Sequence, residues 1–243
     1  MSQGRDDTLT ETVGLVDDFF ARVFRALEAW QPALEAAVVP RIRSGSLTGS
    51  ALAQLIEADA LRVLADPELP IYGAGFCGAA DAIQEGNPLA WWQGPGRSPL
   101  VSSSMVGEQL AVDYRRLEWF RFPERSGAGH VAGPYVDYLC SNEITITSAL
   151  PLHVDGRFVG VTCVDVLVSS LEANLLPALE RLGGDATLVN GGGRVVVSAD
   201  PGAATGDTHE GVGPGRGLDQ LGPGFRARAS TRFPFAVIVA DGT

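Results

Sequence analysis

The chain has 243 residues, 45% of them hydrophobic and 19% charged, a balance that fits an ordered globular protein and excludes wholesale disorder. Its formal net charge is -11, so the surface should repel phosphate backbones and anionic membranes, which disfavours nucleic-acid binding. All 18 basic residues are Arg, a bias that points to a high-GC bacterial source.

Residues 1–12 are polar and lack the basic and apolar regions of a signal peptide. No window of about 20 apolar residues occurs, so no membrane span is expected. Cys77, Cys140 and Cys163 are odd in number and widely spaced, which reads as reduced thiols in the cytoplasm.

The first predicted element is a helix from about Thr12 to Arg43. Val13, Val16, Phe20, Val23, Leu27, Trp30 and Leu34 recur at spacings of three and four and form one stripe. Pro32 should kink it. The stripe suits first a helix packed on its own domain, and second a helix that also pairs with a second copy in a homodimer. Thr48 or Ser50 can cap a second helix that ends before Asp66-Pro67.

Strands are expected over Ile71–Ala79, Leu89–Gln93 and Val136–Cys140. The strongest hairpin signal is Asp155-Gly156, flanked by Glu143–Val154 and Arg157–Val168, because a type I′ turn needs two residues at positive φ. Thr145 and Thr147 alternate with Ile144 and Ile146, which gives that strand one polar face. A helix over Ser169–Leu182 stops at Gly183-Gly184. A smaller hairpin turns at Gly191-Gly192-Gly193. Residues 201–224 read as a mobile loop rich in Gly and Pro, before two final strands at Phe225–Thr231 and Phe235–Ala240. A long helix followed by antiparallel strands defines an α+β protein.

Nothing in the chain spells catalysis. His130, His153 and His209 are scattered, with no metal spacing, and neither a nucleophile elbow nor a P-loop is present. Gly213–Gly217 resembles a phosphate loop only superficially. No catalytic residue, metal or cofactor is therefore expected.

The stretch from Tyr114 to Asp165 is different. Tyr114, Arg116, Trp119, Phe120, Tyr135, Asp137 and Thr147 combine rings with isolated polar groups, which suits a small-ligand pocket. Asp165 ends an apolar strand, where an unpaired carboxylate costs several kcal/mol. Its partner is either a ligand ammonium, a salt bridge to Arg116, or the N-terminus of the following helix.

The ordered set of a long helix, Trp119-Phe120, Pro134-Tyr135-Val136-Asp137, Ile144-Thr145-Ile146-Thr147 with Pro151, and Asp155-Gly156-Arg157-Phe158-Val159-Gly160-Val161 through Asp165 resembles the Cache family. These are PAS-like (PDC) sensor domains of bacterial chemoreceptors and sensor kinases. The resemblance covers about residues 12–200 and is strongest over 114–182. It implies a long N-terminal helix on a PAS-like antiparallel sheet, with a smaller second antiparallel sheet at the C-terminus, as in double-Cache members. The implied division is 1–45 for the helix, 46–183 for the ligand-binding Cache domain and 184–243 for a small β subdomain. Amine-binding members share Tyr, four residues, Arg, one residue, Trp-Tyr, then Pro-Tyr-x-Asp and a strand-end Asp. Aligned on Trp119-Phe120, the two Asp positions fall on Asp137 and Asp165. The Arg position falls on Leu117 and the Tyr position on Val112, with Tyr114 and Arg116 out of register.

The resemblance implies a sensor of an amine, amino acid or related metabolite. Typical members face outward on membrane helices. With none expected here, the chain departs from them and reads as a free-standing cytoplasmic sensor that signals through a protein partner or a dimer. Asp137 and Asp165 would hold the cationic group, walled by Trp119, Phe120 and Tyr135, with Trp91 or Trp92 as a lid. The rival readings are a small-metabolite enzyme with Asp137 as base, and a dimerisation scaffold that binds no ligand.

Overall fold

The computed structural model describes residues 2–100, 113–138, 142–213 and 217–241. Helix α1 (Ser2–Arg43) is 42 residues long, about 63 Å at 1.5 Å per residue. Its stripe is buried from Leu9 through Val38. It starts well before the expected Thr12 because Leu9 extends the stripe by one repeat. The hydroxyls of Thr8, Thr10 and Thr12 are absorbed by carbonyls four residues back, so this polar turn leaves no donor to compete with the helix. Pro32 and Pro40 both lie inside it. Phe20 is fully buried and stacks on Phe235 with ring centroids 4.7 Å apart.

Helix α2 (Gly49–Leu64) is capped by Thr48, whose side chain accepts from the Ala51 amide. Strands β1 (Ile71–Gly78), β2 (Leu89–Gln93), β3 (Ser98–Pro99), β4 (His130–Val136), β5 (Ile144–Val154) and β6 (Arg157–Leu167) form one antiparallel sheet in the order β3-β2-β1-β6-β5-β4. The β5–β6 turn has Asp155 at φ 54 and Gly156 at φ 77, the pair of positive angles that a type I′ turn requires. Helix α3 (Glu118–Ser126) precedes β4, and α4 (Val168–Leu182) follows β6.

The second sheet comprises β7 (Thr187–Asn190), β8 (Val195–Ser198), β9 (Phe225–Ala229) and β10 (Phe235–Ala240), in the order β8-β7-β10-β9. α1 packs on β5 and β6 of the first sheet and on β9 and β10 of the second. This is the α+β architecture expected, with the long helix common to both sheets.

Two expectations change. The strand expected at Val136–Cys140 instead ends at Val136, while Leu139 and Cys140 lie outside the described residues. Gly133-Pro134 looks like a strand break in sequence. Here the β4–β5 register shifts between Ala132 and Tyr135, and the irregularity accommodates a proline that has no N–H to donate. The described parts of the loop, 201–213 and 217–224, are also more structured than their composition suggests. His209 and Val212 are buried, and Val212 joins Val189, Ala236 and Ile238 in a second apolar cluster.

Candidate functional site

Side-chain parity builds the site. In the register of the central strands, Gly73, Gly75 and Cys77 of β1 face the same side as Val161, Cys163 and Asp165 of β6. Thr147 of β5 pairs directly with Asp165, and Trp91 of β2 pairs with Gly75. Odd-numbered residues of these four strands therefore share one face of the sheet. Even-numbered ones, including Phe76 and Trp92, face the opposite side.

On the odd face lies a cavity of about 290 Å³, at the small end of the range for ligand pockets. Cys77, Cys163, Thr147 and Asp165 form its base on the sheet, and Leu89 and Trp91 wall one side. Tyr114 and Leu117, from the turn that leads into α3, and Trp119 on α3 form another wall. Tyr135, Val136, Asp137 and Tyr138 close the β4 end. Trp91 lies across β1 because positions 73 and 75 carry no side chain. A Cβ on Gly73 would meet the indole at 2.5 Å, and one on Gly75 would meet it at the same distance. The indole Nε1 donates to Gln93 Oε1 at 3.0 Å, which fixes the ring.

The polar groups are chained. Thr147 Oγ1 donates to Asp165 Oδ1 at 2.6 Å. With its proton committed there, Thr147 accepts from the Tyr135 hydroxyl through a short hydrogen bond. Burial pushes the Asp165 carboxyl up to about 8; Thr147 opposes the shift and the Asp137 carboxylate adds to it. Burial, then Asp165, holds the Tyr135 phenol well above its ordinary range, so it stays a neutral donor. Burial alone keeps Cys77 protonated, and the same cause dominates at Cys163, which makes both thiols poor nucleophiles. Among the described residues, no group of three or more His, Cys, Asp or Glu side chains can hold a metal ion.

Six residues expected at the site meet at this cavity: Tyr114, Trp119, Tyr135, Asp137, Thr147 and Asp165. Three lie elsewhere. Arg116 is exposed on the turn before α3 and does not line the cavity, so Asp165 is bonded to Thr147 instead of this guanidinium. Phe120 points into the core, edge-on to Phe158 at 5.3 Å. Trp92 is on the even face of β2, so Trp91 supplies the indole. Leu117, aligned with the family's Arg, does line the cavity; Val112 lies outside the described residues. Cys77, Leu89, Val136, Tyr138 and Cys163 were not anticipated, although Cys163 shares the parity of Asp165 and that signal would have found it.

A long helix spanning two antiparallel sheets, with a pocket on the first, is a fold shared with the ligand-binding domains of several chemoreceptors. Residues 88–173 match the family model of the methyl-accepting chemotaxis protein-like first PDC sensor domain. The chain is similar to the methyl-accepting chemotaxis protein TlpQ of Pseudomonas aeruginosa, with 30% identity over 145 residues. That match takes in 56% of this chain and spans only 19% of the length of TlpQ. Among solved structures, the ligand-binding domain of the Campylobacter jejuni chemoreceptor Tlp3 in complex with 4-methylisoleucine has a TM-score of 0.64 at 12% identity, covering 98% of this chain and 89% of that one. The ligand-binding domain of the Pseudomonas aeruginosa amino acid chemoreceptor PctC in complex with GABA has a TM-score of 0.57 at 18% identity, covering 96% and 97%. Among the described residues, no helix is long and apolar enough to cross a membrane.

Proposed function

We propose that this protein is a sensor module whose cavity binds a small organic cation, an amine in preference to an amino acid. The observation that carries this reading is the charge of the cavity wall: two buried carboxylates, Asp137 and Asp165, and no Arg, Lys or His among the described lining residues. An ammonium group seated there gains charge-assisted hydrogen bonds in a dry site, and Trp91, Trp119 and Tyr135 offer ring faces to it. Leu117 supplies an apolar wall where the family's pattern has a carboxylate-binding Arg, so an amino acid's own carboxylate would meet no basic partner on that wall.

Asp137, Asp165, Thr147 and Tyr135 set the polar end in this reading, and Tyr114, Trp119 and Trp91 set the apolar end. The signal leaves through α1, which touches both sheets and carries the interface for a second copy or a partner. A cytoplasmic setting, in keeping with the two free buried thiols Cys77 and Cys163, belongs to the same reading. Fractionation of cells expressing the tagged protein checks it.

A thermal-shift screen of amines, amino acids and carboxylates tests the ligand class. Amines should raise the melting temperature, and Asp165→Ala should abolish the effect. A cation that stabilises the wild type and Asp165→Ala equally would refute the assigned role. Chemical change in a bound amine on long incubation would favour an enzyme with Asp137 as base.

A further inference from the structure

The same cavity has a property that ligand class alone does not imply. Asp137 and Asp165 are 7% and 6% exposed and line one cavity of about 290 Å³. The other titratable groups on its wall are the Cys77 thiol of β1, the Cys163 thiol of β6, and the phenols of Tyr114, Tyr135 and Tyr138. None of these carries positive charge. Arg115 and Arg116, on the adjacent turn, are exposed, and Arg115 is paired with Asp113 at 2.7 Å. Burial in this small apolar space disfavours the charged form of Asp165, and the second carboxylate on the wall adds to the effect.

Asp165, on the sheet at the base of the cavity, is the group that gives way, because burial there outweighs the hydrogen bond it accepts. Thr147 donates to Asp165 Oδ1, and Tyr135 supports Thr147 from behind. Oδ1 is thereby committed as an acceptor, which leaves Oδ2 as the oxygen that can carry a proton.

Resting on the amine reading above, we propose that the empty site is loaded with a proton on Asp165 and that an organic cation enters by displacing it. The exchange balances. The O–H bond of the Asp165 carboxyl breaks, the proton passes to water, and the carboxylate left behind pairs with the incoming ammonium. The cavity's charge is the same before and after. Burial holds the empty carboxyl near 8, so the exchange operates around neutral pH. Affinity for a cation rises with pH up to about 8, by up to about tenfold per pH unit, and then levels off.

The decisive experiment is a carbon-13 NMR titration of the aspartate carboxyl signals in the ligand-free protein, repeated with methylamine through butylamine as probes. Asp165→Asn assigns the signal by its disappearance. Thr147→Val gives a second handle, because loss of the donated hydrogen bond should move the midpoint higher still. The expected result is a midpoint near 8 without amine, lowered to about 5 or below at saturating amine. Calorimetry in two buffers of different ionisation enthalpy should then register close to one proton released per amine bound at pH 6–7. An Asp165 midpoint below 5 in the empty protein overturns the proposal while leaving the amine reading standing. A raised midpoint that none of the amines moves overturns both, and marks Asp165 as a protonated core residue.

Discussion

Single residues decide what this pocket admits. Trp91 and Trp92 are neighbours in sequence, and only Trp91 faces the cavity. Sequence alone could not choose between them, because a strand's inward parity is fixed by its partner's register and by the room beneath each side chain. That room comes from Gly73 and Gly75 on β1, whose missing Cβ atoms let the indole lie flat. Trp91→Ala is expected to weaken amine binding by about 1–2 kcal/mol through loss of the ring face, while Trp92→Phe should leave affinity unchanged; calorimetry on the two variants checks this. Leu117→Arg places a guanidinium on the wall beside two carboxylates. It should cost most of the amine affinity and lower the Asp165 midpoint, both measurable on one sample. By contrast, Asp165 could be read from its place at the end of an apolar strand, where a buried carboxylate demands a partner, while Asp137 came from the likeness to the amine-binding pattern. Arg116 could not be read, because one residue of offset on a tight turn moved it into solvent.

At the scale of elements, the hairpin of β5 and β6 was the easiest to read, since Asp155-Gly156 is a short-range turn signal that needs no tertiary context. Its tip is tied to the end of α1: Arg43 bonds both carboxylate oxygens of Asp155, at 2.7 and 3.1 Å. β4 was hard to read because Gly133-Pro134 sits inside it, and only the sheet reveals that the register shift tolerates a proline there. That irregularity has a second role. Asn190 of β7 donates to the Gly133 carbonyl at 2.8 Å, while its own side-chain oxygen accepts from Gly192 and Arg194. One side chain thus joins the second sheet's turn to the strand that carries Tyr135. Asn190→Ala should weaken amine binding several-fold although the residue lines no part of the cavity. In a double-mutant cycle it should couple with Tyr135→Phe by about 0.5 kcal/mol or more. Additive losses would mean that the two sheets act independently.

For the molecule as a whole, the order of the elements was legible, and so was the likeness to a sensor domain. The extent of α1 and the packing of His209 and Val212 were not, since both depend on partners distant in sequence. α1 lies against both sheets, so a ligand that tightens the first sheet has a direct path to the second. If α1 also pairs with a second copy, light scattering should find a dimer at micromolar concentration; a strict monomer would remove that route for the signal. Proton linkage makes a further global statement. The folded protein holds the Asp165 proton more tightly than the unfolded chain does, so its contribution to stability is complete below about pH 4 and is lost as pH rises to about 8. The slope is at most about 1.4 kcal/mol per pH unit. The ligand-free wild type should therefore lose melting temperature relative to Asp165→Asn between pH 5 and pH 8, and a constant difference across that range would contradict the linkage.

In the proposed function, a carboxylate pair in a ring-walled cavity holds an organic cation. Isothermal titration of the wild type and Asp165→Ala at pH 8, with butylamine and with butyrate, is the decisive measurement. One-to-one binding of butylamine to the wild type is expected, with its loss in Asp165→Ala and no binding of butyrate to either protein. Butyrate binding to the wild type, or butylamine binding that survives unchanged in Asp165→Ala, would contradict the proposed function.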